Sequence, residues 1–211
     1  MNIPFFTSMS KIRSQRGFVL PLTLVVCVII LTVATGISVI LAKELYFSRV
    51  SRLSQLAYYA ADNGLMCATT IDDRYIDYET GYGIFPYNTL VTSQMVLDKV
   101  NAARVAEGLS PIALNDITCA TSEIFDTAVT GFAVTPFSRI KASGETDNGR
   151  TSTFNMQMDL GDGQVRCATV FINKTPSYRQ IISRGFASCD VSSSYRIERA
   201  IVSSAENAEI E

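Results

Sequence analysis

Five cysteines and no histidine set the chemistry open to this chain. Cys67, Cys119, Cys167 and Cys189 are spread from residue 67 onward, while Cys27 lies alone in an apolar run. Four thiols can close two disulfides in three pairings, hold zinc as thiolates, or supply a nucleophile. No C-x-x-C pair occurs, which argues against zinc. A nucleophilic thiol would lack the histidine that normally activates it, so disulfides are the expected use. Cys167 and Cys189 fall on or beside neighbouring predicted strands and are the favoured pair. Cys67–Cys119 would then tie the end of a long helix to the rest of the body. Closing loops of about 23 and 53 residues contributes about 3–4 kcal/mol each. Cys27 reads as a small hydrophobe.

Other polar groups form no convincing constellation. Asp72, Asp73, Asp77 and Glu79 suggest calcium, but EF-hand spacing is absent and the expectation is that they face water. Asn173-Lys174-Thr175 fits a glycosylation sequon. Glu198 and Asp190 have no partners in the pattern, and no glycine-rich phosphate loop occurs. Tyr58, Tyr59, Tyr75, Tyr78, Tyr82 and Tyr87 suit core and interface packing. No catalytic residue, metal or cofactor is expected, and the chain reads as a non-enzyme. The net charge of −2 becomes −5 if residues 1–17, with Lys11, Arg13 and Arg16 and no acid, are removed. A mildly acidic body without a basic tract is poorly suited to neutralising phosphates, so nucleic acid is not an expected partner.

The elements that carry these groups begin with an apolar segment. Residues 18–42 hold no charge, and as a helix they reach about 37 Å, enough for a hydrocarbon core of about 30 Å. A cleaved secretory signal has a shorter apolar stretch and a small-residue cut site, so a membrane span is expected. Lys43, Arg49 and Arg52 balance the basic residues ahead of the span, leaving the positive-inside tally tied. The short segment before the span and the four cysteines after it put the body on the extracytoplasmic side.

Ser14-Gln15-Arg16-Gly17-Phe18-Val19-Leu20, set directly before that span, resembles the processing site of type IV prepilins and pseudopilins. The resemblance implies a basic leader cut after Gly17 by a prepilin peptidase, with Phe18 as the new, N-methylated first residue. It also implies a pilin-like fold and assembly with other pilin-like subunits through the N-terminal helix. Most of the family has glutamate as the fifth mature residue, whereas Leu22 stands there, preceded by Pro21. That departure resembles the K-type minor pseudopilin and some PilX-like minor pilins, and implies a minor rather than major subunit. Residues 57–64, AYYAADNG, are similar to the A-x-x-A-A-(E/D)-x-G segment of PilX-like proteins.

Downstream of the span, Leu45, Arg49, Leu53, Leu56, Ala60, Gly64 and Cys67 recur at helical spacing. A helix is therefore expected from Phe18 to about Met66, followed by an irregular loop over residues 71–91. Residues 93–107 read as a short helix capped by Ser93, with Val96, Leu97, Val100 and Ala103 on one side and Gly108 and Pro111 stopping it. Strands are expected over residues 132–142, with Pro136 marking an edge or a bulge, then 153–160, 164–173, 180–187 and 195–203. Phe154, Met156, Met158 and Leu160 share one face, and Gly161-Asp162-Gly163 makes a hairpin turn.

The expected fold class is α+β, a long N-terminal helix with a transmembrane first half on a small antiparallel β-sheet head. Its divisions are a leader (1–17), a membrane half-helix (18–42), an amphipathic half-helix (43–68), a β-rich head (69–204) and a loose tail (205–211). The expected function is a minor structural subunit of a type IV pilus or related secretion or uptake filament. The alternative is a permanently anchored extracytoplasmic binding or adhesion module. Both are single-pass proteins of the cytoplasmic membrane with membrane lipid as a partner, and the first also reaches a surface filament.

Overall fold

A computed structural model describes residues 16–119, 122–125, 130–141, 145–159 and 164–206, with side chains from residue 20. The chain divides into two units, at Arg49 and Val50. Helix α1, Arg16–Arg74, contributes to both.

In the first unit every described side chain from Leu20 to Arg49 is exposed. The helix is long and apolar enough to cross a membrane. Its hydroxyls turn inward on its own backbone: Thr23 donates to the Leu20 carbonyl, Thr32 to Ile29, Thr35 to Leu31 and Thr32, and Ser38 to Ala34. Pro21 sits inside the helix.

In the second unit the helix packs against a sheet, giving the α+β class. Sheet order is β3-β4-β5-β6-β7, an antiparallel meander of Ala133–Ile140, Thr146–Asp159, Val165–Thr175, Tyr178–Phe186 and Glu198–Glu206. A two-residue ladder, β1 (Thr118–Cys119) with β2 (Ser122–Glu123), lies apart from it. On β4 the side chains of Phe154, Met156 and Met158 are buried, as their alternation predicts. Ala168, Val170 and Ile172 of β5 and Ile181 of β6 continue that core face, and Phe85 stacks on Phe125 and Phe154. Pro136 lies on edge strand β3, where a missing donor is tolerated. Arg139 of β3 lies over the Tyr178 ring and reaches Glu206 of β7, the opposite edge. Four strand spacings would separate flat edges by about 19 Å, so the sheet coils strongly at this end.

Several boundaries differ from expectation. The helix continues past residue 68 to Arg74, because Ile71, Asp72 and Tyr75 extend the buried face by two turns. Residues 71–74 are therefore not loop. The buried stripe is Ala57, Ala60, Ala61, Gly64 and Ala68, whereas Leu45 is exposed and Leu53, Leu56 and Cys67 are half-buried. Helix α2, Ser93–Ala106, is capped by Thr92, not Ser93: Thr92 is extended and its hydroxyl accepts from the Met95 N–H. Val96 and Leu97 are buried but Ala103 is exposed. Gly108, at φ +80°, closes the helix in the left-handed region. Strand β7 starts three residues later than expected and runs to Glu206, so Ala205 and Glu206 belong to the sheet, paired with Arg179 and Tyr178. Leu160, the turn at Gly161-Asp162-Gly163 and the last five residues lie outside the described residues.

Candidate functional site

Three features of the sequence converge on α1: its N-terminal end, its small-residue stripe, and the groups that anchor its C-terminal end. Gly17 and Phe18 lie in the first described turn of the helix, and residues 1–15 are outside the described part. Leu22 is 54% exposed on the apolar stretch. The first described turn of the helix, residues 16–19, carries no acid.

The stripe explains how closely helix and sheet approach. A Cβ built on Gly185 of β6 would lie 2.1 Å from the Ala57 carbonyl oxygen and 2.3 Å from the Ala61 nitrogen. One built on Gly64 would lie 2.4 Å from Ser183 Oγ and 3.0 Å from Val170. Gly185 brings strand backbone onto helix backbone, and Gly64 lets side chains of the sheet reach the helix where a Cβ would stand. Farther along, Arg199 Nε donates to Ser54 Oγ at 2.7 Å. The alanine run is legible in the sequence, whereas nothing local marks Gly185 of β6 as its partner.

A charge cluster fixes the helix end. Asp72, 2% exposed, accepts two bonds of 2.9 Å from Lys174 Nζ and one of 3.3 Å from Arg179, which also binds Asp73 at 2.5 Å. Gly83 leaves room for this carboxylate, since a Cβ there would sit 2.4 Å from Asp72 Oδ1. Burial pulls the Arg179 pKa down, but hydrogen bonding and attraction from Asp73 and then Asp72 raise it overall. The four acids considered for calcium are thus otherwise engaged. Asp77 accepts from Thr80 Oγ1 at 2.5 Å and the Glu79 N–H, with the Thr80 bond foremost in lowering its pKa. Glu79 binds Lys99 at 2.7 Å. Among the described residues no group of three potential metal ligands is assembled.

Cys67 is bonded to Cys119 and Cys167 to Cys189, with Cα separations of 5.8 and 5.1 Å. The first joins α1 to β1, and Cys119 is 1% exposed. The second pins the segment after β6 to β5 and is half-buried at both ends. Cys27 is free and exposed.

The remaining groups are not brought together. Asn173 spends its carboxamide on Thr151 (2.7 Å) and Gln180 (3.1 Å), a cross-strand ladder that occupies the sequon's acceptor nitrogen. Of the six tyrosines only Tyr75 is buried; Tyr78 is 91% exposed. Tyr82 and Tyr87 lie 5.0 Å apart, and burial with the Tyr82 hydrogen bond pushes the Tyr87 pKa up to about 12. Asp190 accepts from Ser192, and Glu198 pairs with Arg184. A cleft of about 590 Å³ runs beside the Cys67 disulfide, lined by Asn63, Met66, Arg74 and Met158 among others. A second of about 500 Å³ lies between α2 and Tyr78.

Comparison of the chain with family models, with curated proteins and with solved structures gave no match.

Proposed function

We propose that this chain is a non-enzymatic minor subunit of a type IV pilus or a related secretion or uptake filament. In this reading a prepilin peptidase removes residues 1–17, the single membrane span holds the protein with its disulfide-bonded unit outside the cytoplasm, and the apolar helix then leaves lipid to pack against the helices of other subunits. The observation that carries it is α1 itself. One uninterrupted helix joins an uncharged, exposed apolar segment to a stripe of Ala57, Ala60, Ala61 and Gly64 buried on an antiparallel sheet. The Arg16-Gly17-Phe18 sequence at its start supports the processing step, and two disulfides suit an oxidising compartment. Leu22, where the resemblance implies glutamate, supports a minor role: there is no carboxylate to pair with a neighbour's amino terminus.

The test is mass spectrometry of the N-terminus after expression beside an active prepilin peptidase, with sheared surface filaments probed for the chain. A chain beginning at methylated Phe18 and present in filaments is the expected result. Residues 1–17 still attached, and no chain in filaments, would replace this reading with the permanently anchored module.

A further inference from the structure

We infer that Pro21 is a positioning residue for leader removal: it keeps the Gly17 carbonyl out of the helical hydrogen-bond ladder, leaving the Gly17–Phe18 amide open to attack. The inference rests on the filament-subunit reading above and concerns the same bond.

An amide inside an α-helix is a poor protease substrate, because each carbonyl is held by the N–H four residues on. Helix α1 is described from Arg16 onward, and the Gly17–Phe18 bond lies within its first described turn. Four residues after Gly17 stands Pro21, which has no N–H to donate. The one carbonyl that Pro21 leaves without its ladder partner is therefore that of the bond to be cut. The pyrrolidine ring also crowds that same carbonyl, and proline disfavours helical backbone at Leu20 before it. Glycine at position 17 weakens the turn further. Had the proline stood one position earlier or later, the gap would have fallen on Arg16 or Phe18.

The step itself is hydrolysis. Water adds at the Gly17 carbonyl carbon, the C–N bond to Phe18 breaks, and the products are a Gly17 carboxylate and a Phe18 amine that takes up the proton. Freedom of the carbonyl matters because its carbon must become tetrahedral and its oxygen must turn to donors supplied by the peptidase.

The experiment follows cleavage of the full-length chain in membranes containing the peptidase. It compares the native chain, Pro21→Ala, and the double variant Pro21→Ala with Leu22→Pro, which moves the gap to the Phe18 carbonyl. Restoring the donor strengthens the helix, so Pro21→Ala folds and inserts, which carbonate extraction verifies. The expected result is cleavage about tenfold slower in Pro21→Ala, the effect of one helical bond together with the lost ring crowding. The double variant stays slow, since it breaks the helix but at the wrong carbonyl. A general loosening of the helix end would instead rescue the double variant, and that outcome overturns the inference. Equal rates for native and Pro21→Ala overturn it while leaving the filament reading intact. A native chain uncut after Gly17 overturns both.

Discussion

Gly185 of β6 lies directly against the backbone of α1 at Ala57: a Cβ there would come 2.1 Å from the Ala57 carbonyl oxygen. The obstacle is backbone on both sides, with no flexible side chain to move aside. Gly185→Val is therefore expected to force the helix off the sheet and cost about 3 kcal/mol or more, at the upper end of overpacking effects. Gly36→Ala is the contrasting variant, since nothing lies within 4 Å of its Cβ and alanine favours helix. Thermal melts monitored by circular dichroism check both. A Gly185→Val protein as stable as the native one would mean that helix and sheet do not meet this closely.

Asp72 answers two cations, so its removal strands them. Lys174 has only 13% of its side chain exposed and Arg179 29%. Asp72→Ala is expected to cost about 2–4 kcal/mol, because breaking a buried pair leaves an uncompensated charge. Asp72→Leu combined with Lys174→Met should recover much of the loss, since an apolar pair of similar volume replaces the ion pair. Chemical denaturation of the two variants separates the cases: equal losses in the single and the double variant would exclude the stranded-charge explanation.

The two disulfides differ in exposure and in the length of chain they close. Cys119 is 1% exposed, while Cys167 and Cys189 are both half-buried. Graded reductant followed by differential alkylation is expected to label Cys167 and Cys189 before Cys67 and Cys119. Replacing Cys67 and Cys119 together by alanine should cost more than replacing the other pair, because the sequence separations are 52 and 22; the difference is about 0.8 kcal/mol on a chain-entropy account.

Acid should loosen the second unit through its buried carboxylates. Burial alone would raise the Asp147 pKa, but hydrogen bonds led by Ser177, 2.6 Å away, lower it overall. A folded pKa below the unfolded one means that stability is fully present above the unfolded value, about 4, and is lost as pH falls through the folded value. The melting temperature is expected to hold from pH 7 to about 5 and fall below about pH 4. Asp147→Asn should flatten that fall while lowering stability at pH 7. An unchanged slope in the variant would remove Asp147 from the explanation.

Local pattern made much of this architecture legible. The alternation of Phe154, Met156 and Met158 fixed a strand face, Pro136 narrowed its strand to an edge or a bulge, and the uncharged run at residues 18–42 fixed a long apolar helix. What pattern could not carry was contact between distant segments. Residues 71–74 read as loop because aspartates and an arginine interrupt the apolar spacing, yet Asp72 stays helical because Lys174 and Arg179, a hundred residues away, receive it. Thr92 displaced Ser93 as cap for a subtler reason: both residue types suit the position, and only backbone conformation separates them. Glu206 joined the sheet because Arg139 and Tyr178 meet it there. The role of Gly185 needed the position of Ala57, which no local signal encodes.

The four hydroxyls of the uncharged segment, on Thr23, Thr32, Thr35 and Ser38, have a consequence beyond local geometry. Each is satisfied within its own helix, so this stretch asks nothing of its surroundings by way of hydrogen bonds. Moving it from one oily environment to another therefore exposes no thirsty oxygen at any stage. Shape and dispersion alone decide where it prefers to reside, and such preferences are shallow enough to be reversed.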